Sequence, residues 1–380
     1  MLLIRSTVAI EDCSFTNSSV DFSGGAIFAI GGTLHVKSCS LHANTAGGGG
    51  GCIWVQDGAE LLLANSSLGH CRAGTFGGAV GTFNTSRIVV EDTSISHSTA
   101  RDGGGVAMDA HASGVVDGCS FAGNAARQSG GAMYAAGDVA RIRVHNTTMI
   151  DNSGGENGGC IHVARAVQLT LRKCLLMKCT AALNGGAVSV MEDAGLVLGE
   201  EVEIDLSEAG TIGGGIYHAG ASLVVEMSRT PGSARGPSIQ NCSAEFGGGV
   251  GFMSRFRVDW GPFSIESCSA RKDGAGLYGL GASAALYIAG SAAALSINEC
   301  SAGRDGGGVA LLYGAQMDLG ARLWRGAPRS CAGWCGRAAP LGLARNSAGR
   351  FGGGIFKQGC HDDLDAKVSK SVRCLLATRS

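Results

Sequence analysis

A chain of 380 residues with 45% hydrophobic and only 16% charged residues is too apolar to stay disordered and has few charges with which to cover an ordinary surface. Thirty basic residues against 31 acidic ones leave a formal net charge of −1, which supplies no long-range attraction toward nucleic acid or an anionic membrane. Glycine is the outlier: there are 64 glycines, only 5 prolines and no collagen-like period, so the glycines must serve a local task that recurs along the chain.

Met1-Leu2-Leu3-Ile4, broken by Arg5 and followed by Glu11 and Asp12, does not read as a secretion signal. Val8-Ala9-Ile10 and Cys13-Ser14-Phe15 alternate like strands and read as the back half of a coil whose first strand lies upstream, so the chain is expected to belong to a longer polypeptide. From Gly24-Gly25-Ala26-Ile27 onward a tetrapeptide of small residues closed by an aliphatic one recurs. Its later copies end at Ile53, Val80, Val106, Met133, Ile161, Val188, Ile216, Val250, Leu277, Val309 and Ile355. The unit is about 27 residues, with longer spacings late in the chain.

Each unit carries three alternating segments, exemplified by Ile53-Trp54-Val55, Ile88-Val89-Val90 and Cys119-Ser120-Phe121, and no 3.6-residue stripe persists. A single coil cannot bury enough apolar surface to offset the ordering of about 27 residues, whereas stacked coils pair each strand above and below. The predicted fold is therefore all-β: a right-handed parallel β-helix of about twelve coils over residues 1–356, with an insertion at about 312–340 and a charged tail or cap over 357–380. The uncharged stretch from Gly274 to Asn298 is long enough to span a bilayer, but it stays in the repeat register and is read as coil.

A column of small residues follows the third strand: Asn44, Cys71, Ser98, Asn124, Asn152, Cys179, Ser207, Cys242, Cys268, Cys300 and Asn346. Stacked at one corner, such residues are expected to hydrogen-bond along the stack and to the turns. Paired with the glycine tetrapeptide, Phe121-Ala122-Gly123-Asn124 and its relaxed copies at Leu41-His42-Ala43-Asn44, Met149-Ile150-Asp151-Asn152 and Leu343-Ala344-Arg345-Asn346 resemble the repeat of the chlamydial polymorphic outer membrane proteins. That motif also occurs in surface proteins of other bacteria, algae and protists, and an algal or protist relative is the better match. Cysteine replaces asparagine in several copies here, and the C-terminal membrane barrel of the chlamydial members is absent from this sequence. The resemblance implies an exposed, adhesive β-helix at the cell surface or outside the cell.

Of the 15 cysteines, Cys13, Cys39, Cys119 and Cys174 share an inward slot, and Cys71, Cys179, Cys242, Cys268 and Cys300 share the corner. They read as small buried residues and not as a disulfide framework, although bridges between equivalent cysteines of adjacent coils are sterically allowed. Cys331 and Cys335, in the insertion, are the better disulfide candidates. His70 and His97 recur at one position and form a weak metal-pair candidate. The acidic residues form no ladder, and no catalytic residue, metal site or cofactor is assigned.

The middle residue of the first strand points away from the core. Phe28, Trp54, Tyr134, Tyr217 and Tyr278 are therefore expected to form an exposed aromatic ladder that binds glycans or surface proteins. Asn17, Asn65, Asn84, Asn146 and Asn241 begin N-glycosylation sequons, meaningful in a eukaryotic secretory pathway. The expected function is a non-catalytic structural or adhesive module. The alternative is a polysaccharide lyase or hydrolase of the pectin-lyase-like class.

Overall fold

The computed structural model describes residues 1–138, 140–226, 235–259, 261–288, 293–318 and 341–358. Cys331 and Cys335, most of the insertion and nearly all of the tail lie outside the described residues.

The predicted solenoid is present, and every strand pairing in it is parallel. First strands such as Ile53–Gln56, Val80–Phe83 and Val106–Asp109 form one ladder. Second strands such as Glu60–Ala64, Arg87–Glu91 and Ser113–Asp117 form another. The two ladders merge into a 23-stranded sheet because the early strand Ile27–Lys37 runs through both. Third strands, from Ser14–Thr16 to Leu341–Ala344, make a separate 12-stranded sheet. The 27-residue period fixes the register: Ile53 pairs with Val80, Val80 with Val106, Val106 with Met133, and Met133 with Ile161. A slip of one residue would turn every core side chain outward, so the alternation itself locks the stacking.

Each coil also contains a strand the alternation did not reveal. After the Asn/Cys/Ser corner, two-residue strands such as Thr45–Ala46, Arg72–Ala73 and Thr99–Ala100 form a second 12-stranded sheet. Two residues show no period, yet stacking gives each the same bonded neighbours as a longer strand. The coil therefore has four strands, not three.

Apolar columns fill the interior: Val80, Ile88, Val90 and Ile95 of one coil are all fully buried. In a later coil Phe252, Phe256 and Phe263 meet edge to face at 5.8 and 5.9 Å, the arrangement aromatic quadrupoles favour. The glycine pair has two distinct tasks. Gly77 adopts φ +65°, a left-handed conformation that side chains resist. A Cβ on Gly78 would collide with the Gly104 carbonyl of the next coil, so only glycine lets the backbones approach there.

Candidate functional site

The aromatic ladder is not exposed, which corrects the sequence-based expectation. Trp54 and Tyr217 are 7% exposed and Tyr278 is 5% exposed, while Phe28 and Tyr134 are half-buried. Pointing away from the core did not mean pointing into solvent, because the turn before each glycine pair folds back over this strand. Phe246 lies 5.1 Å from the Tyr278 ring, and Phe76 lies 6.0 Å from Tyr134. The gaps in the ladder are part of the packing: Trp54 lies where a Cβ on Gly81 would stand, and Ile212 occupies the same place at Gly251. Burial pushes the Tyr134 and Tyr278 phenols up to about 12. Tyr278 belongs to a satellite apolar cluster outside the main core, and Trp54 and Tyr217 are too covered to present an open ring face.

The same column contains His162, whose ring stacks on Tyr134 at 5.6 Å and whose Nδ1 has no hydrogen-bond partner. Burial pulls its pKa down to about 4. His218 stands in an inward column, between Val190 and Phe252 in register. Its Nδ1 meets Ser254 Oγ at 2.8 Å, its Nε2 is unpartnered, and burial lowers it to about 4 as well, against a smaller opposing effect of a backbone bond at Ser222. Apart from Thr82 the residues in register from Val55 to Val190 are apolar, so a histidine in this column is visible in the sequence as an exception.

The corner column is buried and bonded from coil to coil. Asn124 Oδ1 accepts from the Ser98 backbone N–H at 3.0 Å, and Asn124 Nδ2 donates to the Ile95 carbonyl at 2.9 Å. Asn44, Asn152 and Asn346 each repeat both bonds. Each asparagine thus satisfies one donor and one acceptor of the coil beneath. Replacing Asn124 by alanine strands these buried groups and should lower stability by about 2–3 kcal/mol, read as a fall in the urea midpoint. An unchanged midpoint would show that the column is ornamental.

Two corner cysteines are oxidised, against expectation. Cys52 is bonded to Cys71 and Cys160 to Cys179, each pair 19 residues apart with Cα atoms 5.6 and 5.4 Å apart. The bridges run within a coil, from the tetrapeptide to the corner, and not between equivalent cysteines of neighbouring coils. Cys39, Cys119, Cys174, Cys242, Cys268 and Cys300 remain buried thiols, and Cys13 is an exposed one. Burial pushes Cys119 and Cys174 up to about 11, so neither is a nucleophile near neutral pH. Cys268 is raised chiefly by its hydrogen bond with Cys242, and Cys300 by its bond with Cys268.

His70 stacks on His97 at 5.1 Å, and His42 of a third coil meets His70 edge to face at 4.9 Å. Among the described residues no group of three or more His, Cys, Asp or Glu could hold a metal ion. The buried carboxylates are engaged by arginines: Asp102 by Arg101, Asp273 by Arg304, and Asp305 by Arg350. The Arg350 guanidinium holds the Asp305 carboxyl below its ordinary range. All five sequon asparagines sit exposed on turns with φ between 46° and 55°. Among the described residues no helix is long and apolar enough to cross a membrane, and the described part of Gly274–Asn298 is strand and turn.

No curated protein and no solved structure matches the chain. The family described as "Right handed beta helix region" matches residues 5–200, just over half of the chain, and the protein belongs to that family.

Proposed function

We propose that this β-helix is a non-catalytic surface or secreted module that binds an extended partner, a glycan or a surface protein, along its length. The observation that carries this reading is the regular polar facing of the third-strand sheet. Ser14, Ser40, Ser67, Ser94, Ser120 and Thr148 stand in register on six successive coils, with their side chains outside the core. Strand spacing sets these hydroxyls about 4.8 Å apart. A rigid row of hydroxyls suits a linear partner with its own short repeat.

Two further features support it. The Cys52–Cys71 and Cys160–Cys179 bonds fit an oxidising compartment outside the cytosol. The buried aspartates Asp102, Asp273 and Asp305 are held by arginines, which leaves them as structural ion pairs and not as free acids or bases. The glycine and Phe-x-x-Asn repeat resemblance points the same way, toward adhesion.

The test is incubation of the purified protein with a panel of neutral and charged polysaccharides, following retention and chain length together. Retention with chain length unchanged is expected. New reducing ends or unsaturated products would overturn the non-catalytic reading.

A further inference from the structure

The two-residue strands carry a groove of about 470 Å³ across four coils, from Thr45 to Arg127. Its floor is a run of alanines, Ala46, Ala73, Ala100 and Ala126, so it is shallow and smooth. Its walls carry hydroxyls from Thr45 and Thr99 and guanidinium groups from Arg72 and Arg127, and no acidic residue lines it. Arg72 is exposed and has no acidic partner among the described residues. Arg127 reaches back across two coils to donate to the Gly74 carbonyl at 2.6 Å, which pins its positive charge over the trough without neutralising it. On the next turn Arg101 lies 4.6 Å over the Phe76 ring and bonds Asp102. The contacting rings of His42, His70 and His97 stand on the corner that feeds the same strands. On a chain whose overall charge is −1, this is a local cationic track.

We infer that this groove binds a linear polysaccharide bearing sulfate or carboxylate groups, lying along the solenoid axis. The inference rests on the non-catalytic binding reading and names its ligand class. Guanidinium groups match the fork of a sulfate or carboxylate oxygen pair, and the threonine hydroxyls and imidazole edges suit the sugar hydroxyls between. From Thr45 to Ala125 the track is about 15 Å long, enough for several anionic groups of an extended chain. A single-stranded nucleic acid fits less well, because binding without sequence preference relies on aromatic platforms for its bases. Phe76, a ring at this edge, is covered by Arg101. The two disulfides also favour a compartment where anionic glycans abound.

The experiment compares dextran sulfate, carboxymethyl dextran, neutral dextran and oligo-dT of similar length by titration calorimetry on the intact chain. The two charged dextrans are expected to bind with an affinity that falls as salt rises, and neutral dextran at least 10-fold more weakly. Arg72→Gln should weaken the charged dextrans about 5-fold, and Arg72→Gln with Arg127→Gln about 20-fold, with the thermal transition of Arg72→Gln unchanged. His70→Ala should cost about 2-fold. Binding that is indifferent to Arg72, or equal for neutral dextran, or as tight for oligo-dT, would overturn the assignment. In each of those cases intact dextran chains leave the broader binding reading standing, whereas shortened chains would overturn that reading instead.

Discussion

Lowering the pH from 7 to 4.5 should destabilise the protein by about 5 kcal/mol through His162 and His218 alone. Both imidazoles ordinarily titrate near 6.5, and burial holds both near 4 in the fold. The unfolded chain therefore takes up two protons between pH 6.5 and 4 that the folded chain refuses. Stability is complete above pH 6.5 and drains away as the pH falls toward 4. At pH 4.5 each site contributes about 2.5 kcal/mol of this loss. The mechanism is visible in the geometry, since His162 Nδ1 and His218 Nε2 are buried without an acceptor, so an added proton would have no oxygen to share it.

His162→Phe keeps the stack on Tyr134, and His218→Leu restores an apolar residue between Val190 and Phe252. The double variant should show a urea midpoint nearly flat between pH 7 and 4.5, where the parent falls steeply. Because coils hold mainly their neighbours, amide exchange in the parent at pH 4.5 should rise first in strands Ile161–Ala164 and Ile216–His218. Parallel pH profiles for parent and double variant would refute the idea.

The same residues show where sequence reading succeeds and where it stops. A strict repeat makes pairing legible: once Ile53, Val80 and Val106 are aligned, register, inward columns and the Asn44–Asn124–Asn152 corner follow from alternation and spacing. Solvent exposure is not legible in that way. Trp54, Tyr217 and Tyr278 point off the core, but whether water reaches them depends on how neighbouring turns fold and where bulky residues such as Phe76 and Phe246 come to rest. The cysteines carried a signal that column-by-column reading missed. Only the coils whose tetrapeptide is Gly-Gly-Cys place a cysteine 19 residues onward against another cysteine, so the pairs were marked by their joint occurrence. The cationic groove depends on a strand too short to announce itself.

Those pairs are the second large lever on stability. Each bond closes a loop of about 20 residues, which removes roughly 3 kcal/mol of chain entropy from the unfolded state. The two bonds lie four coils apart and should act additively, about 6 kcal/mol together. Treatment with a phosphine reductant should therefore lower the parent's urea midpoint substantially, and Cys52→Ala/Cys71→Ala should lose half of that difference without reductant. A midpoint for this variant equal to the parent's would overturn the account. The corner supplies its own rescue. Coils elsewhere combine Gly-Gly-Ala with asparagine, as at Ala132 and Asn152, where Asn152 Oδ1 and Nδ2 take two backbone bonds that a disulfide-bonded cysteine, having neither an amide oxygen nor a thiol proton, cannot take. Cys52→Ala/Cys71→Asn should then recover about 2 kcal/mol over the double alanine variant through two buried hydrogen bonds, and should be indifferent to reductant at this coil. Cysteine and asparagine would thus be alternative fasteners for one corner, the first tying a coil to itself and the second tying it to the coil beneath.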